Sequence, residues 1–132
     1  MDKSIFVFGS NCSGYHGAGA AKYAHKMKGA QWGMGYGHHG ESFAIPTMER
    51  DAQTRTFHKL SLEFIEYFVN GFLAYAYTLP DLTFQVSRIG CGLAGYKDSD
   101  IAPIFEGAPD NCMFDEQWEP WLKGYSYFSF KG

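Results

Sequence analysis

The stretch Ile5-Phe6-Val7-Phe8-Gly9-Ser10-Asn11 runs directly into Cys12-Ser13-Gly14-Tyr15-His16-Gly17-Ala18-Gly19-Ala20-Ala21. Four apolar residues in a row read as a strand buried on both faces, the habit of a parallel sheet. Gly9 and the polar pair Ser10-Asn11 end it. The small residues that follow let backbone approach a ligand closely. Ala18, Ala20, Ala21 and Ala24 then open a helix, read from Gly17 to Met27. Strand, Gly-rich loop and helix N-terminus together make an anion site, because unpartnered N–H groups and the positive end of the dipole face one spot.

Beyond this unit the chain alternates. Glu41 to Thr47 is a short second strand that should stop at Pro46 or lie beside a gap in pairing, since proline donates nothing to the ladder. Thr47 then sits at a strand's C-terminal end, where ligands collect in such sheets. Met48 to Lys59 is polar without a period and reads as a mobile surface loop. A long helix spans Leu62 to Tyr77, capped by Ser61, with Phe64, Phe68, Phe72 and Tyr75 and, beside them, Ile65, Val69 and Leu73 in a wide apolar stripe facing a sheet. Thr83 to Ile89 is the third strand, followed by the Gly-rich run Gly90 to Tyr96. A short helix capped by Asp98 or Ser99 and a fourth strand at Asn111 to Phe114 come next. This order implies a single α/β domain over residues 1–132, with a small, mostly parallel sheet and helices on both faces. The aromatic tail, residues 115–132, covers the core or a sheet edge.

Twelve of the sixteen glycines fall in the loops after Phe8, Met27 and Ile89. The first and third follow strands and so open on one edge of the sheet, the usual place for a binding crevice. The middle stretch, Lys28 to Gly40, is too glycine-rich for a stable element. It either wraps a ligand or turns tightly several times. Its His38-His39 pair points apart on an extended chain and has no third ligand at metal spacing, so no metal and no cofactor are expected.

With 132 residues, a net charge of −3 and a pI near 5.9, the chain lacks the clustered lysines and arginines of bulk nucleic-acid binding. No apolar run reaches the ~20 residues of a membrane span. Met1-Asp2-Lys3 leads straight into the first strand with no signal peptide, which suggests a cytoplasmic protein. Cys12, Cys91 and Cys112 are odd in number and lack Cys-x-x-Cys spacing, in keeping with reduced thiols. Aromatic residues make up 18% of the chain, more than a core requires, which leaves rings for a ligand or partner face.

Known phosphate motifs fail in detail. Gly14 through Gly19 has the first spacing of a Walker loop, but Ala20-Ala21 replaces its lysine and hydroxyl; Lys22 occupies the third small position of a dinucleotide fingerprint. A different family fits better. Asn11-Cys12 followed by Gly17-Ala18-Gly19-Ala20-Ala21, and Arg88-Ile89-Gly90-Cys91-Gly92-Leu93, resemble the two binding loops of the macro domain family, within it the type that removes terminal ADP-ribose from acidic side chains. The resemblance covers roughly residues 5–114. It implies a three-layer α/β/α fold and a crevice for ADP-ribose or a related nucleotide diphosphate, free or on an ADP-ribosylated target. It implies that Gly90, Cys91, Gly92, Leu93, Ala94 and Gly95 grip the diphosphate. On the other side, Gly17, Ala18, Gly19 and Ala20 close over it. Asn11 and Tyr96 would then meet the distal ribose.

The hydrolase's lysine and aspartate fall at Met48 and Ala94, which can neither attack an anomeric carbon nor move a proton. An unconventional hydrolysis would have to use Asn11 and His16. The competing reading is a non-enzymatic interaction protein whose tail, Trp118 to Phe130, contacts a partner or a second copy of the chain.

Overall fold

The computed structural model describes residues 4–130. Met1-Asp2-Lys3, expected to lead into the first strand, lies outside them, as do Lys131 and Gly132 of the tail. The first strand, β1, is Ser4–Asn11, and helix α1 is Gly19–Met27. Strands β2 (Gly37–His39), β3 (Ser42–Arg50) and β4 (Phe57–Lys59) precede helix α2 (Leu62–Thr78). Strand β5 (Thr83–Val86), helix α3 (Asp98–Ile101), β6 (Cys112–Asp115) and β7 (Ser126–Phe128) complete the order.

The sheet runs β2-β3-β1-β5-β6-β7, with β4 also pairing to β3. Strands β3, β1, β5, β6 and β7 are parallel, and β2 and β4 run antiparallel to β3. The fold is therefore α/β with a mostly parallel mixed sheet and three α-helices.

Strand β1 sits in the middle, and its alternation builds both faces. Ile5 and Val7 join the cluster under α2 with Ile65, Val69, Phe72 and Ala76; Phe6 and Phe8 join the other with Ala21 and Ala24 of α1. The wide apolar stripe of α2 packs on the core as expected, except at Phe64. Its line of closest burial is Ile65-Val69-Phe72-Ala76, and Phe64 is 60% exposed. The Ser61 cap stands as expected, its hydroxyl accepting from the Phe64 N–H at 3.2 Å.

Pro46 does not end its strand. Ser10 pairs with Pro46 but Asn11 with Met48, so Thr47 is a bulge beside the residue that cannot donate. Met48 to Lys59 is a hairpin rather than a structureless loop. Its turn is closed by Asp51, whose carboxylate accepts from the Gln53 and Thr54 N–H groups at 2.8 and 3.0 Å. Those hydrogen bonds hold the Asp51 carboxyl below its usual range.

The glycine-rich middle segment turns back on the loop after β1. The Gly33 N–H donates to the Gly14 carbonyl at 2.9 Å, and a Cβ on Gly35 would strike the Asn11 carbonyl oxygen. Glycine is required there because backbone lies on backbone. His38 of this segment is held by the Tyr75 hydroxyl and the Gly40 carbonyl. Among the described residues no three His, Cys, Asp or Glu side chains converge as a metal site, and no helix is long and apolar enough to cross a membrane.

The tail packs on its own chain. Trp118 and Leu122 are buried in the main core, and β7 extends the sheet beyond β6. The Phe130 ring lies 4.9 Å from Phe6 and 5.1 Å from Tyr23, between centroids.

Candidate functional site

A cavity of about 590 Å³ opens at the C-terminal ends of β1, β3 and β5, well inside the range of small-molecule sites, about 300–1,000 Å³. Residues 17–21 form one wall and residues 87–94 another, so the two glycine-rich loops do converge. Each is placed by a strand end. Strand β1 ends at Asn11, and the chain enters α1 through Gly19 at φ +59°, a conformation that favours glycine. For that reason α1 begins two residues later than its alanine pattern suggests. Strand β5 ends early, at Val86. Both the N–H and the hydroxyl of Ser87 donate to the Val7 carbonyl, at 3.0 and 2.6 Å, which turns the chain out of the ladder.

The main-chain donors of both walls are largely unspent. Among the described residues, nothing accepts from the N–H groups of Gly17, Ala18, Gly19, Ala20 or Ala21. Helix α1 has no side-chain cap and no acidic residue in its first turn. In the second loop, the Cys91 N–H donates to the Arg88 carbonyl at 3.3 Å, while Gly95 and Tyr96 N–H groups donate back into the loop. Those of Gly90, Gly92, Leu93 and Ala94 have no acceptor among the described residues. Unpaired donors at a helix N-terminus and in a tight loop are the raw material of an anion cradle.

Side-chain groups on the wall are, by contrast, mostly engaged. Asn11 donates from Nδ2 to the Tyr15 carbonyl at 2.9 Å and accepts from the Tyr15 N–H at 3.0 Å. One amide hydrogen and one lone pair remain for a ligand. The hydroxyls of Ser10 and Thr47 donate to backbone carbonyls, both at 3.3 Å. Asp115, 4% exposed, accepts from the Gln117 N–H at 2.9 Å. Cys91 is pushed up to about 12, first by burial and then by the nearby Asp98 charge, so it stays a thiol at neutral pH.

Asp98, expected with Ser99 as a candidate helix cap, is not the cap: Lys97 precedes it at that position, and the Asp98 carboxylate serves the second loop instead. It takes a two-pronged contact from Arg88, Nε to Oδ1 and Nη2 to Oδ2, both 2.8 Å. Its Oδ1 also accepts from Trp118 Nε1 at 2.7 Å. One carboxylate thus ties the start of the second loop to α3 and to the buried tail tryptophan. The Arg88 contact, above all, holds the Asp98 carboxyl below its usual range despite partial burial. Such a group contributes stability that is complete above its unfolded-state pKa, about 3.9, and is lost as pH falls through its lower folded value. Asp98→Asn should therefore cost about 1–2 kcal/mol at pH 7. That deficit should shrink below about pH 4 in urea titrations; a constant deficit across the acid range would show that the Asp98 charge is not what holds the loop.

Of the residues singled out from sequence, the structure brings Asn11, Gly17, Ala18, Gly19, Ala20, Thr47, Gly90, Cys91, Gly92, Leu93 and Ala94 to this one cavity. Met48 lines it too. His16 stands off the wall. It is 1% exposed, its Nε2–H donates to the Gln31 carbonyl at 2.8 Å, and its ring meets Phe8 edge-on. Burial holds it below its ordinary pKa, so the ring is neutral at pH 7 and out of reach of a bound molecule. Gly95 and Tyr96 are also off the wall. The Tyr96 hydroxyl donates to the Leu60 carbonyl at 2.6 Å, and Lys59 lies over its ring. Sequence reasoning missed Tyr15, Trp32, Phe57 and Phe130, aromatic residues from four separate segments that share the cavity; the high aromatic fraction was their only trace.

Comparison with protein-family models, curated proteins and solved structures found no match for this chain.

Proposed function

We propose that this protein is a macro-domain-like module that binds ADP-ribose or a related nucleoside diphosphate, free or attached to a target, in the cavity between its two glycine-rich loops. The observation that carries this reading is the pair of facing main-chain walls, Gly17–Ala21 and Gly90–Ala94, with most of their N–H groups unpartnered. A pyrophosphate offers oxygens on both sides and suits such a cradle. The order of the two loop motifs and the parallel strands that present them support the family resemblance. The three unpaired cysteines are in keeping with a reducing, cytoplasmic setting.

Binding fits the site better than turnover. The cavity wall carries Met48 and Ala94 where the resembling hydrolases carry lysine and aspartate. The Ser10, Thr47 and Ser87 hydroxyls are committed to carbonyls, the Cys91 thiol is protonated, and His16 lies behind the wall. Catalysis needs a nucleophile or base within reach; the wall's one carboxylate, Asp115, is 4% exposed and already accepts from the Gln117 N–H.

Isothermal calorimetry with ADP-ribose, ADP and NAD+ tests the reading. Saturable binding of ADP-ribose is expected, with ADP weaker because it lacks the distal ribose. Silence from all three at millimolar ligand would end it.

A further inference from the structure

The cavity carries two separate groups of aromatic rings beside its anion cradle. One is Phe130, packed on Phe6 of β1 and Tyr23 of α1. On the β3–β4 side stand Tyr15, Trp32 and Phe57, from three separate segments. Tyr15 and Trp32 are stacked, with centroids 5.7 Å apart and planes 16° from parallel; Phe57 meets Tyr15 edge-on at 6.4 Å. Large rings left 39%, 54% and 40% exposed while already packed on one another are costly unless something else covers them. They are also built into place. Asn11 fixes the Tyr15 backbone through both ends of its amide, and the Gly33–Gly14 backbone bond holds the segment that carries Trp32. The Arg50 guanidinium lies 5.2 Å from the Tyr15 centroid, while Trp32, met by the His16 and His25 rings at 6.1 and 5.7 Å, keeps 54% of its surface exposed.

We infer that the Tyr15–Trp32–Phe57 cluster is a second base subsite, so that the preferred ligand class is a dinucleoside diphosphate, with one flat ring at each end of the pyrophosphate. The inference rests on the nucleotide reading above and deepens it. A mononucleotide or ADP-ribose places a ring at one end only and leaves the other cluster wet. Aromatic faces take any base, because every base has a π-face. The neighbouring Arg50 charge favours a neutral second ring over a pyridinium.

The test compares ADP-ribose with diadenosine diphosphate and NAD+, by calorimetry on the intact protein. Each of the two larger molecules adds one ring at C1 of the distal ribose. Diadenosine diphosphate should bind about tenfold tighter than ADP-ribose, or more, the gain that one base stack supplies. NAD+ should gain less. In Trp32→Ala, diadenosine diphosphate should fall to the affinity that ADP-ribose has for the same variant. Phe57→Ala, on the exposed hairpin, gives the same readout in reduced form and is the variant to use if the first does not fold. Equal affinities of ADP-ribose and diadenosine diphosphate for the parent protein overturn the second subsite while leaving the nucleotide reading intact. A gain that survives both substitutions overturns it as well. Failure of ADP-ribose and both larger molecules to bind removes the reading and the inference together.

Discussion

Replacing Ala20 by aspartate should weaken ADP-ribose binding by roughly a hundredfold while leaving the protein as stable as before or slightly more so. The two effects have one origin. Ala20 is in the first turn of α1, on the cavity wall, and that turn carries no acidic residue and no side-chain cap. A carboxylate in the first turn of a helix is favourable to the fold, worth about 0.3–1 kcal/mol, because it answers the unpaired N–H groups and the dipole. A bound phosphate would answer the same groups. Placing the carboxylate there occupies the donors and sets a like charge a few ångströms from the ligand, at about 4 kcal/mol per charge pair near a protein surface before salt screening. Most surface substitutions that abolish binding lower stability or leave it alone for unrelated reasons. Here an unchanged or raised melting temperature together with lost affinity ties both to the helix end. Ala20→Asn, of the same size without the charge, should lose less, and raising the salt should narrow the gap between the two variants. Undiminished ADP-ribose affinity in Ala20→Asp would mean that no phosphate sits at α1.

Much of the architecture is readable in the chain because its elements are locally consistent. Phe6 and Phe8 against Ile5 and Val7, the small-residue opening of α1, the Ser61 cap and the Pro46 irregularity each announce themselves within a few residues. What escaped reading has a common physical cause, which is that its reason lies elsewhere in the chain. The Asp51–Thr56 turn and β4 are exposed throughout, so no burial imposes a hydrophobic period on them. Strand β2 is three residues hidden in a glycine run and exists because β3 offers an edge. The wide α2 stripe is legible from its period, but that Phe64 turns away, 60% exposed, while Ala76 is fully buried is not. At the site, the two glycine loops are legible since their chemistry is local. The Arg88–Asp98–Trp118 linkage and the Tyr15–Trp32–Phe57 cluster are not, because each joins segments that only the folded sheet brings together.

Trp118→Ala should be among the most damaging single changes to the fold, and Trp118→Phe should divide its cost into two parts. Trp118 is fully buried, its ring 5.5 Å from Phe105 and 6.4 Å from Phe114 between centroids. Truncating a buried tryptophan costs about 3–5 kcal/mol through lost burial and the cavity left behind. Against a total of about 5–15 kcal/mol for a domain, that removes a large share. Phenylalanine keeps most of the apolar contact but has no N–H for Asp98 Oδ1, so the carboxylate loses that donor and keeps Arg88 and the Cys91 thiol. That loss should be about 1–2 kcal/mol. The difference between the variants in urea denaturation then measures packing, and the smaller deficit measures the hydrogen bond. The hydrogen-bond part should also reach the cavity, because Asp98 anchors Arg88 at the start of the second glycine-rich loop. Trp118→Phe should therefore bind ADP-ribose a few-fold more weakly even where it is fully folded. Equal stability of the parent and Trp118→Ala would mean that the tail residues do not pack where the ring contacts put them. Full affinity in Trp118→Phe would mean that the loop holds its shape without the tail, and that Arg88 and the Cys91 thiol suffice for Asp98.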